Sequence, residues 1–316
     1  PTPAESGCEM TDTIYRPVRY PAWKAVAARL LEAALRPLAA AAAPPRGLDA
    51  VRRILIVEPF RLGDAALLRG MFAPLRARFA GAEIHLLLHP GSAALYRDDP
   101  AVTRVHELAL PWARVPGRRA GWVAAWRFLR SLRSLRFDLG IDPRGDIRSQ
   151  AALVLAGCAE RAGFTNYLAS NIRIRGALLT RNAGDLPLAH RVELHDAILG
   201  PLGCRPAGPP VRVGRRTPDG RVRVVISTGA GWSYRLWPEA RWVEVVRSIL
   251  ARGDADVRLV GVPAEASRLE RIVSTSGGAA KARITDLRGL LDELAAADLV
   301  ICPASAVMQL ASEWFG

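Results

Sequence analysis

The chain has 316 residues, 50% hydrophobic and 23% charged, which suits two globular domains of ordinary size. No apolar run reaches the length of a membrane span. The four cysteines, Cys8, Cys158, Cys204 and Cys302, form no CxxC pair, which argues against a metal site or disulfide scaffold and fits a reducing cytoplasm. The net charge of +14, from 44 Lys+Arg against 30 Asp+Glu, suits anionic partners, although genome composition also explains much of the Arg and Ala richness. The arginines do not cluster with aromatics in any nucleic-acid module, so nucleic acid is not an expected partner. The chain starts at Pro1 and stops at Gly316, straight after an expected helix, so its C-terminus is read as truncated.

Residues 1–20 are polar and without a period, and residues 23–43 read as an Ala- and Leu-rich helix bearing Lys24, Arg29 and Arg36. Pro37 is expected to kink or split this helix, and Pro44-Pro45 to end it. Such a helix lies on a membrane surface or packs against the protein or another chain. Charges throughout it argue against a secretory signal.

Residues 54–57, Ile-Leu-Ile-Val, are a short apolar run expected as a strand buried on both faces. Pro59 and Gly63 break it, and a helix is expected over 65–80. Asp64 has two readings, a helix cap or a polar group at the carboxyl end of a parallel strand, where open α/β sheets bind ligands. Strands at 83–89, 102–108 and 137–142 and a helix at 122–135 continue the alternation, which predicts a parallel sheet with helices on both faces. Gly145 with Arg144 and Arg148 repeats the strand–turn–helix logic of the opening stretch. A helix is expected from His190 to Leu199. The Pro-, Gly- and Arg-rich segment 205–220 reads as a linker. A second series follows, with strands at 222–226, 257–260 and 299–301 and a helix at 290–297. The turn Ser227-Thr228-Gly229-Ala230-Gly231 is small enough for backbone N–H groups to approach a phosphate.

Several stretches together resemble glycosyltransferase family 9, the bacterial heptosyltransferases that build the lipopolysaccharide inner core. These are Arg61-Leu62-Gly63-Asp64 after a strand, and Asp142-Pro143-Arg144-Gly145-Asp146-Ile147-Arg148-Ser149 against the family's Asp-x-Gln-Gly-x-x-Arg-Ser. Arg161-Ala162-Gly163-Phe164 and His190 are also family-like. In the second half, Thr228-Gly229-Ala230 and Arg235-Leu236-Trp237-Pro238 resemble Pro-Gly-Ala and Lys-x-Trp-Pro, and Gly261-Val262-Pro263-Ala264-Glu265 resembles Gly-Gly-Pro-x-Glu. Ser305, Met308, Leu310 and Ala311 match the last motif, where Ala304 replaces an Asp and Gln309 a His.

The resemblance implies an α/β chain of GT-B type, two Rossmann-like domains with parallel sheets facing across a cleft. Its expected divisions are an N-terminal extension at 1–50, an acceptor domain at 51–204, the linker, and a nucleotide-sugar domain at 221–316. The implied reaction is inverting and metal-independent sugar transfer, heptose from ADP-heptose to a phosphorylated glycolipid acceptor of the lipopolysaccharide core. No cofactor is expected. Asp64 is the expected base. Thr228, Gly229, Ala230, Ser233, Arg235, Trp237, Glu265, Ser305, Met308 and Gln309 are expected at the donor, and Arg61, Gly63, Arg144 and Arg148 at the acceptor. The expected place is the cytoplasm, peripheral on the inner face of the inner membrane. Ala304 and Gln309 keep an alternative open, a non-catalytic or changed-donor protein that binds nucleotide-sugar or anionic lipid. A GT-B enzyme of other chemistry, such as a sugar-nucleotide epimerase, fits the Arg-Leu-Gly-Asp opening less well.

Overall fold

The computed structural model describes residues 20–41, 47–111, 120–166, 172–187, 190–205 and 220–315. The expected linker and the Pro44-Pro45 stop lie largely outside these residues. The first half runs α1 (Ala22–Ala40), β1 (Arg53–Glu58), α2 (Leu62–Ala66), α3 (Arg69–Arg78), β2 (Glu83–Leu88), α4 (Pro90–Ala93) and β3 (Arg104–Glu107). It continues with α5 (Trp122–Ser131), β4 (Leu139–Ile141), α6 (Ile147–Leu155), β5 (Glu160–Gly163), β6 (Arg181–Asn182) and α7 (Arg191–Leu199). The second half runs β7 (Val222–Ser227), α8 (Glu239–Leu250), β8 (Ala255–Gly261), α9 (Ala266–Thr275), β9 (Lys281–Ile284), α10 (Leu287–Ala295), β10 (Leu299–Ile301) and α11 (Ala306–Leu310).

The strands form two parallel sheets, ordered β3-β2-β1-β4-β5-β6 and β10-β7-β8-β9. The apolar run of β1 serves both faces of its sheet. Ile54 and Ile56 join the core on the side of α3 and α7, while Leu55 and Val57 join the core on the side of α5 and α6. The first of these cores does not stop at the sheet. It reaches Val225, Val260, Leu294, Val307 and Leu310 of the second half, so the two halves share one apolar cluster.

Several boundaries differ from the sequence reading. The helix expected over 65–80 is two, because the chain passes through tighter i to i−3 bonds between them, Leu68 N–H to the Ala65 carbonyl and Met71 N–H to the Leu68 carbonyl. It also begins earlier, at Leu62, so Asp64 lies within the first turn and does not cap it. Pro37 sits in the last turn of an unbroken α1. β5, β6 and β9 escaped notice because Glu-Arg-Ala-Gly, Arg-Asn and Lys-Ala-Arg-Ile lack an apolar run. Gly145 has φ of +65°, and a Cβ there would stand 2.6 Å from the Phe164 ring, so only glycine fits this turn.

α1 packs on α6 and places Ala28 and Ala39 against Ile147, Val154, Ile174 and Leu178. Its one acidic residue, Glu32, is buried and accepts the backbone N–H groups of Arg175 at 2.8 Å and Ala177 at 2.6 Å. These bonds tie the helix to the first half. Glu32→Ala leaves two part-buried donors without their acceptor, and should loosen this attachment by about 1–3 kcal/mol. Hydrogen exchange at the Arg175 and Ala177 amides should accelerate accordingly.

Candidate active site

The carboxyl ends of β1, β4, β7 and β10 face a common region where α2 packs on α11. Gly63 makes this packing close. A Cβ on it would stand 3.3 Å from the Ala306 Cα and 3.3 Å from the Gln309 Oε1. Asp64 is therefore held at the junction of the two halves.

Asp64 belongs to a buried charge cluster. Arg144 Nη1 donates to Asp64 Oδ2 at 2.9 Å and to Glu58 Oε1 at 3.2 Å, while Arg191 Nη2 reaches Glu58 Oε2 at 3.2 Å. The Arg144 guanidinium lies on the Phe60 ring at 4.2 Å. Glu58 is closed off, with none of its side chain exposed, whereas 26% of the Asp64 side chain is open. Burial pushes the Asp64 carboxyl up, but Arg144 and Arg191 outweigh it and hold it below its usual range. Burial, with help from the neighbouring Asp64 charge, lifts Glu58 to about 7 despite the two arginines. Asp64 is ionised at neutral pH, where Glu58 is in mid-titration. Burial and the nearby Asp146 lift Asp142 to about 8, and burial with Arg191 depresses His195 to about 3.

Asp64 opens into a cavity of about 690 Å³. One wall is α1, through Trp23, Ala27 and Leu31; the other carries Arg61, Arg148 and Trp232. Of the residues expected at the acceptor, Arg144 is turned inward onto carboxylates and acts on Asp64. Arg148 holds both oxygens of Asp146, the residue that caps α6, and stays one-third exposed at the cavity. Arg61 crosses to the second half, with its guanidinium 4.8 Å from the Trp232 ring centre.

The residues expected at the donor gather on the other side. Arg235 donates to the Ala304 carbonyl at 3.2 Å, which joins the loop after β7 to the loop after β10. The hydroxyls of Thr228 and Ser305 are buried with no hydrogen-bond partner among the described residues. The Glu265 carboxylate accepts the Val262 N–H at 3.0 Å and packs against Gly229 and Gly261, where any Cβ would collide with it. Ala230 is half-buried beside Gly229. Ser233 and Trp237 are exposed along the rim, with Trp237 tilted onto Trp242 at 5.3 Å. Met308 is exposed, and Gln309 turns to Gly63. Among the described residues no cluster of His, Cys, Asp and Glu could hold a metal ion.

Sequence reasoning missed Glu58, Arg191 and His195, and gave Asp142 and Asp146 no role although both stand in a family-like stretch. Glu58 left a signal, a carboxylate ending a run buried on both faces. His190 drew notice, yet it only caps α7, accepting from Val192 N at 3.4 Å, and its neighbour Arg191 enters the cluster.

Residues 212–312 match the family model described as "Glycosyltransferase family 9 (heptosyltransferase)". Among solved structures, the chain is similar to the Escherichia coli heptosyltransferase WaaC with ADP-2-deoxy-2-fluoro heptose, at 20% identity and a TM-score of 0.66, over 83% of this chain and 85% of that one. It is similar to a family 9 glycosyltransferase from Veillonella parvula at 14% identity and a TM-score of 0.66, over 84% and 79%. It is also similar to the E. coli ADP-heptose lipopolysaccharide heptosyltransferase II at 17% identity and a TM-score of 0.59, over 82% and 81%. These likenesses show the GT-B fold. No curated protein sequence matches the chain.

The cluster makes stability depend on pH. In the folded chain Glu58 keeps its proton up to about 7, while the unfolded chain loses it near 4.5. Between those values the folded state binds more protons, so this group's contribution falls as pH rises through the window. Glu58→Gln should flatten that fall by up to about 3 kcal/mol in denaturant titrations at pH 5 and pH 8, whatever it does to absolute stability.

Proposed function

We propose that the chain is a glycosyltransferase of family 9, and that it moves a sugar, heptose from ADP-heptose, onto a phosphorylated glycolipid of the lipopolysaccharide core. The reaction inverts the anomeric centre and uses no metal. The first half, 51–204, takes the acceptor and the second, 221–316, the donor, with 205–220 between them. The observation that carries this reading is the placement of Asp64. It is ionised by Arg144, open to a cavity with basic and apolar walls, and set where α2 meets the donor loops. The enzyme works in the cytoplasm, on the inner face of the inner membrane.

The acceptor hydroxyl enters the cavity and gives its proton to Asp64 as its oxygen attacks the anomeric carbon. Arg144 fixes the carboxylate's position. Arg148 and Arg61 face the acceptor's phosphates, for which a guanidinium supplies paired hydrogen bonds. The leaving nucleoside diphosphate gains negative charge as the bond breaks. Arg235, the amides of Thr228, Gly229 and Ala230, and the unpartnered hydroxyls of Thr228 and Ser305 meet that charge. Ser233, Trp237, Glu265, Met308 and Gln309 line the rest of the donor. The unusual Ala304 offers Arg235 only its carbonyl, which favours a second reading, a protein that binds nucleotide-sugar or lipid with a changed donor or without transfer.

A panel of nucleotide-sugars assayed for transfer and hydrolysis separates the two. Asp64→Asn should lower transfer by about 10²–10⁴-fold with nucleotide affinity barely changed, and should also lower the melting temperature, because Arg144 loses a charged partner. Near wild-type turnover in this variant would place the base elsewhere. Arg235→Ala should weaken nucleoside diphosphate binding by more than ~1 kcal/mol in calorimetry.

A further inference from the structure

α1 is turned inside out. Its buried positions are Ala28, Glu32 and Ala39, and its solvent side carries Trp23, Val26 and Leu30, of which Trp23 and Leu30 are each 66% exposed. A helix on the surface of a globular protein has the opposite arrangement. Spacings of three and four residues put Trp23, Val26 and Leu30 in one stripe. α5 repeats the pattern. Ala125 and Leu129 are buried, while Trp122, Val123 and Trp126 are 66%, 62% and 46% exposed. Both helices pack on α6, so both stripes lie on the same side of the first sheet.

The charges around these stripes have one sign. Lys24 stands 5.8 Å from the Trp23 ring centre, and Arg130 lies over Trp126 at 4.9 Å. Arg29, Arg36 and Arg127 are exposed on the same two helices. Neither helix has an acidic residue on its solvent side, since Glu32 is buried and α5 has none. A second copy of so basic a face would repel the first. An anionic bilayer attracts it, and tryptophan beside basic side chains suits the headgroup boundary, where one end of the ring is apolar and the other wet.

We propose that the exposed stripes of α1 and α5 form a docking surface for an anionic lipid bilayer, and that α1 leads the acceptor's lipid part to the cavity at its N-terminal end. Trp23, Ala27 and Leu31 of α1 line that cavity, opposite Arg61 and Arg148. A lipid can keep its chains on the helix while its phosphorylated head meets the arginines. Docking stands on exposure and charge alone; delivery rests on the transfer reading given above.

The test uses the full chain and vesicles of phosphatidylcholine, with or without phosphatidylglycerol, in co-sedimentation. Binding should require phosphatidylglycerol and fall as salt rises, because exposed charges are screened. The variants V26S/L30S and W126S change only exposed side chains outside the cavity. Each should lower vesicle partition, V26S/L30S by about tenfold or more, the effect of two aliphatic side chains no longer leaving water. Melting temperature and turnover on a water-soluble acceptor should not move. Equal partition of V26S/L30S and wild type would overturn the proposal. So would equal binding to neutral vesicles, or a dimer that V26S/L30S dissolves in a chain that binds no vesicle. Vesicle binding as expected with no turnover on any acceptor would sink the transfer reading and delivery, and leave docking standing.

Discussion

Arg144 shares one guanidinium between two carboxylates, and the site depends on that sharing. A lone charge at its depth would be costly, and a lone carboxyl beside it would keep its proton. Together, Glu58 and Arg191 on one side and Asp64 on the other make Arg144 tolerable, and Arg144 in turn keeps Asp64 ionised. Phe60 beneath the guanidinium removes water from its face and fixes its plane. The elements follow from this. β1 must end in Glu58, α2 must turn over Gly63, and the loop after β4 must turn at Gly145 to bring Arg144 inward.

The fold was largely legible because parallel strands buried on both faces leave short apolar runs between breakers. Residues 54–57 and 222–226 show it plainly. The strands that escaped, β5, β6 and β9, hold their places by backbone pairing and by neighbours rather than by an apolar sequence of their own. At the site, the sequence singled out Asp64 and the loops after β7 and β10, and these lie at strand carboxyl ends about the contact of α2 with α11. It was not legible at Glu58 and Arg191, whose importance comes from meeting across 133 residues of chain. Spacing in sequence carries no trace of such a meeting. Arg144 shows the limit from the other direction. The residue was found, but its partner was read as an anion from outside, when the nearest anions are the protein's own.

The orientation of α1 follows the same lesson. The sequence reads as an Ala- and Leu-rich helix bearing Lys24, Arg29 and Arg36, and only its docking on α6 shows which side is outward. Glu32 decides it, because a carboxylate that bonds the Arg175 and Ala177 amides can point nowhere else. The apolar stripe is then exposed by default. The structure thus joins an apolar outer surface to a basic inner cavity through a single helix.

The apolar cluster that runs from β1 to Val307 and Leu310 bears on motion. Pulling the halves apart would bring those side chains into water, at roughly 1.5–3 kcal/mol for each one fully exposed. The two sheets therefore do not swing freely about their connection, and the chain should lose its structure as one cooperative unit. A wide gape between the halves is the expensive route for exchange of substrates. The mouth of the cavity beside α1 is open without such a gape, so a ligand can reach Asp64 with the shared cluster intact.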